Sequence, residues 1–186
     1  MLYSAVLSAQ REVGSFSFKP KAGLSVSNVT HSDATGPRYG LVAGGEFEYQ
    51  AFGYISFSAG ALYSMQGAIS KDVYGFGMKT NALKLDYLNF PILMNVTFAR
   101  GFAVRFGVQP GVRVNNTLTV EDKIGSTSYS YYGLRLFDMS LPVGLSFETH
   151  RLVFDLMMSS GLINIYPNTD SRNVAVQLSV GYRLDL

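Results

Sequence analysis

Cysteine and tryptophan are absent from the 186 residues, and histidine occurs only twice. Without cysteine there is no disulfide framework, no thiolate nucleophile and no thiolate metal site. Two histidines leave little for a site built on imidazole, so neither a metal nor a cofactor is expected. Charge is scarce too, at 15% of residues against roughly 25% in an ordinary soluble domain. A formal net charge of +2 gives no footing for nucleic acid. Despite this, no run approaches the ~20 consecutive apolar residues that a transmembrane helix requires. With 13 Phe and 12 Tyr the chain is far too aromatic to be disordered.

What is present is alternation of apolar and small or polar residues, the period of a half-buried strand. In the first run Phe16, Phe18, Pro20, Ala22, Leu24 and Val26 oppose Ser17, Lys19, Lys21, Gly23 and Ser25. Similar runs cover 39–50, 55–63, 102–114, 137–148, 152–158 and 173–186. A further segment, about Leu83 to Phe98, changes phase: Leu83, Leu85 and Tyr87 give way to Leu88, Phe90, Ile92, Met94, Val96 and Phe98. That change reads as a β-bulge near Tyr87 and Leu88. The count is eight strands. Connections around 51–53, 99–101 and 149–151 are tight, whereas those around 28–37, 66–81, 116–131 and 159–172 are long.

Short turns at one end and long outward loops at the other describe an eight-stranded antiparallel up-and-down transmembrane β-barrel. The alternative with the same alternation is a soluble lipocalin-like carrier whose apolar face points inward. Such a barrel needs a charged exterior, and the polar face here is mostly Gly, Ser, Asn and Gln, suited to a narrow packed lumen. The apolar faces are long enough for the ~9–11 residues of a tilted membrane strand. Aromatics gather near strand ends, as an interfacial girdle would. Pro20, Pro91, Pro110 and Pro142 stand against this, because a closed barrel has no edge strand. Each must lie at a bulge or strand end, or forfeit a ladder bond where no water replaces it.

Three segments carry a family resemblance: Lys21-Ala-Gly-Leu-Ser-Val-Ser-Asn28, Leu85-Asp-Tyr-Leu-Asn-Phe-Pro91 and Phe106-Gly-Val-Gln-Pro-Gly111. The chain from about Ser15 resembles the Bacteroidetes outer-membrane β-barrel proteins of the PorT-like group. The resemblance implies an eight-stranded barrel in the Gram-negative outer membrane, generally without assigned activity, one branch serving type IX secretion and gliding. It also implies that the phase change and Pro91 are a shared structural device. Residues 15–186 are expected to form the barrel domain and 1–14 a signal-peptide remnant or tail. The last strand ends on Leu186 where the insertion signal of such barrels is usually aromatic.

Candidate sites begin with charges on the polar face. Lys19 should fall near Glu46, with Lys21 and Glu48 close by. Arg105, Asp155 and Arg183 should sit at similar depth, and Arg113 should face Asp138 across the third long loop. Buried charges persist only when paired, so this set reads as a structural salt-bridge network plugging a polar lumen. No catalytic residue is assigned. His31-Ser32-Asp33, with Ser70 or Asp72, is the nearest approach to a lipid-modifying triad, but adjacent loop residues do not ordinarily converge as nucleophile, base and orienter. His150 belongs to a tight turn. Outside outer-membrane lipid, the expected partner is a protein or glycan at the loops, where Val73–Met78 and Ser126–Tyr132 mix aromatics with Gly and Ser.

Overall fold

In the computed structural model the backbone is described for residues 12–30, 35–74, 77–122, 125–130, 136–163 and 172–186. Side chains are described for these except 35, 68–74, 77–83, 118–122 and 125–130. The strands are β1 (Phe16–Val29), β2 (Thr35–Phe52), β3 (Ile55–Tyr74), β4 (Gly77–Asn89), β5 (Ile92–Ala99), β6 (Phe102–Asp122), β7 (Gly125–Ser130), β8 (Phe137–Thr149), β9 (Leu152–Gly161), β10 (Asn173–Tyr182) and β11 (Leu184–Asp185). β4 and β5 lie end to end against β3 and β6, and β7 and β8 do so against β6. β10 and β11 likewise both pair with β1, which closes the sheet. The result is eight antiparallel staves in sequence order, a closed barrel without an edge. Among the described residues no helix is long and apolar enough to cross a membrane; the strands do the crossing.

The apolar face points outward. Leu24 is 62% exposed, Tyr39 76% and Val143 56%, while Glu46 and Arg105 are 1% exposed. That is the reverse of a soluble carrier and places the apolar band against lipid. The short-turn end carries a tilted-ring belt: Phe16–Tyr49 and Phe18–Phe47 centroids are each 4.8 Å apart, and Phe102–Phe147 are 4.5 Å apart. Connections at this end are two residues long, between β2 and β3, β5 and β6, and β8 and β9. Gly101 (φ 79°) and His150 (φ 55°) take the left-handed conformation that such turns demand.

Three expectations are corrected. The long connections at 66–81 and 116–131 are largely strand: β3 pairs with β4 out to Tyr74↔Gly77, and β6 with β7 out to Asp122↔Gly125. Backbone pairing needs no apolar face, so alternation stopped signalling these extensions where the lipid band ended. Next, the bulge lies opposite Asp86 and Tyr87, but on β6, where Asp86 faces Asn115 and Tyr87 faces Arg113. β4 itself keeps its phase, and Leu85 (0% exposed) and Tyr87 (2%) point inward. The lumen, in consequence, is not purely polar.

Pro20, Pro91, Pro110 and Pro142 each sit where a ladder is interrupted. Pro20 falls in the gap between the β10 and β11 pairings of β1. Pro91 separates β4 from β5, and Pro110 lies across that same break, its carbonyl accepting Phe90 N at 2.8 Å. Pro142 lies in the gap between Phe106↔Val143 and Gln109↔Ser140. The missing N–H groups are thus grouped at positions where no partner carbonyl waits for them.

Candidate functional site

Inward-facing positions build the lumen in tiers. At its centre Lys21 and Arg105 each bridge the same two carboxylates, those of Glu46 and Asp155. Arg105 Nη2 is 2.5 Å from Glu46 Oε2 and Nη1 is 2.7 Å from Asp155 Oδ2. Lys21 Nζ pairs with Glu46 and lies 3.3 Å from Asp155 Oδ2. Arg105 Nε donates to Asn95 Oδ1 at 2.9 Å and Nη2 to Ser58 Oγ at 3.2 Å. The guanidinium is 1% exposed, so its charge is held by fixed carboxylates and amides in place of water.

Toward the short turns two further pairs follow. Lys19 pairs with Glu48, which also accepts Ser56 Oγ at 2.5 Å. Arg183 grips Glu148 at 2.8 and 3.1 Å, donates to Ser17 Oγ at 2.9 Å and reaches Asp185 at 3.1 Å.

The backbone register does set Lys19 opposite Glu46, yet the side chains pair on the diagonal, Lys19 with Glu48 and Lys21 with Glu46. Long side chains lean along the strand and reach the diagonal neighbour. Arg105 and Asp155, expected at similar depth, are paired. Arg183 does not join them: it stands at the β10–β11 break, beside Glu148, a residue the sequence reading did not single out. Arg113 is not opposite Asp138 either; the register sets Gly111 there, and Asp138 Oδ1 accepts the amide of Met139 at 2.8 Å. The β6–β8 register holds unchanged from Phe102↔Phe147 to Val112↔Phe137, which fixes this pairing.

On the other side of the charge cluster lies an apolar tier that was missed: Leu62, Pro91, Leu93, Pro142 and Met157 surround a void of only about 10 Å³, shared with Lys21, Glu46, Gln109 and Gln177. Parity could have revealed it, since Val42 shares its face with Glu46, Val153 and Met157 share theirs with Asp155, and Leu62 shares its face with Ser58 and Ser64. Inward glycines make room for the long side chains. A Cβ on Gly107 would stand 2.1 Å from Ile92 O, and one on Gly144 would stand 2.2 Å from Leu156 O.

One polar cluster lies on the outer wall. Asp86 accepts Tyr63 Oη and Asn115 Nδ2 at 3.0 Å each, with Arg38 Nη2 at 3.4 Å. His31, Ser32 and Asp33 lie outside the described residues, as do the side chains of Ser70 and Asp72. Much of Val73–Met78 and Ser126–Tyr132 falls in the same category. Among the described residues no group of three or more His, Asp or Glu could hold a metal ion.

Comparison with solved structures agrees with this architecture. Ail, the attachment invasion locus protein of Yersinia pestis, superposes with a TM-score of 0.55 at 14% identity, over 93% of this chain and 100% of that one. Neisserial surface protein A superposes with a TM-score of 0.51 at 10% identity, over 91% and 97%. At such identities the likeness is one of fold. No curated protein matches the chain in sequence. The model of the outer membrane protein beta-barrel domain matches residues 8–166, most of the chain, and the closed barrel with its lipid-facing band and aromatic belt is what that match requires. The chain therefore belongs to the outer membrane protein beta-barrel domain family and resides in the outer membrane of a Gram-negative cell.

Proposed function

We propose that the protein is a non-catalytic, non-conducting scaffold of the outer membrane that works through its long-connection end, meeting a protein or glycan there. The observation that carries the closed lumen is the void of about 10 Å³ beyond the ion pairs, room for one water at most. The doubly bridged Lys21, Glu46, Arg105 and Asp155 offer a solute no path that does not break two buried ion pairs. In a planar bilayer the purified barrel should show no discrete openings; a steady unit conductance would overturn this reading.

Glycan recognition is favoured as the first partner class to test. The structural neighbour Ail has been crystallised with the heparin analogue sucrose octasulfate, and the Ser126–Tyr132 segment has the composition of an adaptable contact surface. Cells displaying the barrel should retain heparin, and replacing residues 126–132 by a short Gly-Ser turn should abolish retention. Failure of the intact barrel to retain either heparin or neutral glycans would leave a protein partner as the reading. An enzymatic role on lipid is not favoured: His31→Ala should leave the cell's lipid A and phospholipid profile unchanged by mass spectrometry. The segments around Lys21–Asn28 and Leu85–Pro91 support placement in the PorT-like branch.

A further inference from the structure

The lumen is not filled along its whole length. At the short-turn end it widens into a polar cup of about 320 Å³, a volume at the lower end of small-ligand sites. Lys19, Glu48, Ser56 and Arg105 form its floor, and Arg100 and His150 stand at its mouth. The two turns carrying these last residues are tied together, Glu148 N donating to Gly101 O at 2.7 Å.

Charge in the cup is unevenly spent. Glu48 is held by Lys19 and Ser56, and Glu148 by Arg183. Arg105 is paired with Glu46 and Asp155 and donates to Asn95 and Ser58. Arg100 has no acidic partner among the described residues, so the mouth keeps an uncompensated guanidinium over a floor of neutralised ion pairs and hydroxyls. His150 adds a second donor from a left-handed position (φ 55°), while the neighbouring turn fills its own left-handed position with Gly101.

We propose that this cup is a binding site, entered from the periplasm, for a small polyhydroxylated anion of the glycerol phosphate type. Arg100 presents the forked donors that match a phosphate, His150 supports it from the adjoining turn, and the serine, threonine and amide lining receives the hydroxyls. The phosphoglycerol unit can come free from the periplasm or as the headgroup of an anionic phospholipid of the inner leaflet.

The test titrates the full-length barrel, folded in uncharged maltoside detergent, with glycerol 1-phosphate, followed by calorimetry and by NMR of the Arg100 and His150 resonances. Saturable one-to-one binding is expected, weakened about tenfold or more in Arg100→Gln, the loss of one charge-assisted contact. It should weaken less in His150→Asn, which retains a residue tolerant of the left-handed turn. Arg151→Gln serves as control, since Arg151 neighbours the cup without lining it, and should bind as the parent does. These are exposed rim positions, and retention of the heat-dependent gel shift establishes that each variant folds. Absence of saturable binding overturns the site, as does equal binding of plain glycerol or an equal loss in Arg151→Gln. A parallel titration with bicelles containing phosphatidylglycerol or phosphatidylcholine separates the sources: a shift of the cup resonances only with phosphatidylglycerol assigns the unit to lipid, and a shift only with the soluble compound assigns it to the periplasm.

Discussion

At the scale of single residues, the lumen shows how four charges can be carried through a membrane-embedded wall. Glu46 serves Lys21 and Arg105 at once, and Asp155 serves the same two, so each charge has two partners and no lone member. Removing one is far costlier than removing a matched set. Glu46→Gln should therefore lower the unfolding free energy in lipid vesicles by about 3–5 kcal/mol, read from the urea midpoint. Exchanging all four for apolar residues of similar volume should restore much of it. Glycine matters at the same scale. Gly107→Ala would set a methyl 2.1 Å from the Ile92 carbonyl, and since that oxygen is backbone the strands must part. A loss of about 1–3 kcal/mol, the usual range for overpacking, is expected in the same titration.

At the scale of elements, the staves are continuous where lipid demands it and broken where proline allows it. Pro142 faces a gap in the β6–β8 ladder, so Pro142→Val supplies an N–H that meets no carbonyl there. Burying that donor unpaired should lower stability by about 1–3 kcal/mol relative to the parent, read from the same urea midpoint. Leu145 is paired on both sides, with Val104 and with Leu156. Leu145→Pro removes a ladder bond in a medium without water to replace it, and should cost about 3 kcal/mol or more, seen as failure to fold into vesicles or as a lowered midpoint. The alternation of β1, β2, β8, β9 and β10 was legible from sequence because one face meets lipid and the other a packed lumen. β4 misled because Leu85 and Tyr87 are apolar residues facing inward, and hydropathy cannot distinguish a lumen-filling leucine from a lipid-facing one.

At the scale of the whole molecule, closure is the governing fact: β10 and β11 return to β1, so no edge remains from which SDS could unzip the sheet. The unheated protein should run faster than the boiled protein on an SDS gel. A Lys21→Glu variant, which sets like charges together at the centre of the lumen, should lose the shift at a lower temperature. If the lumen is closed at the ion-pair cluster, as proposed above, mutations in the cup at the short turns should leave binding at the long-connection end unchanged.

Strand number, the lipid-facing side and the membrane of residence followed from the sequence alone. Period-two alternation, scarce charge and long apolar faces are local properties that survive without knowledge of register. What only the tertiary structure decided was who pairs with whom. The diagonal choice of Lys19 for Glu48, the separation of Arg183 from Arg105, the apolar tier of Leu62, Leu93 and Met157, and the cup beneath Arg100 and His150 all depend on stagger between staves. Stagger is set by ladder gaps, a bulge at Val114 and the closure of β10 onto β1. Those are relations between residues far apart in the chain, and no run of sequence carries them by itself.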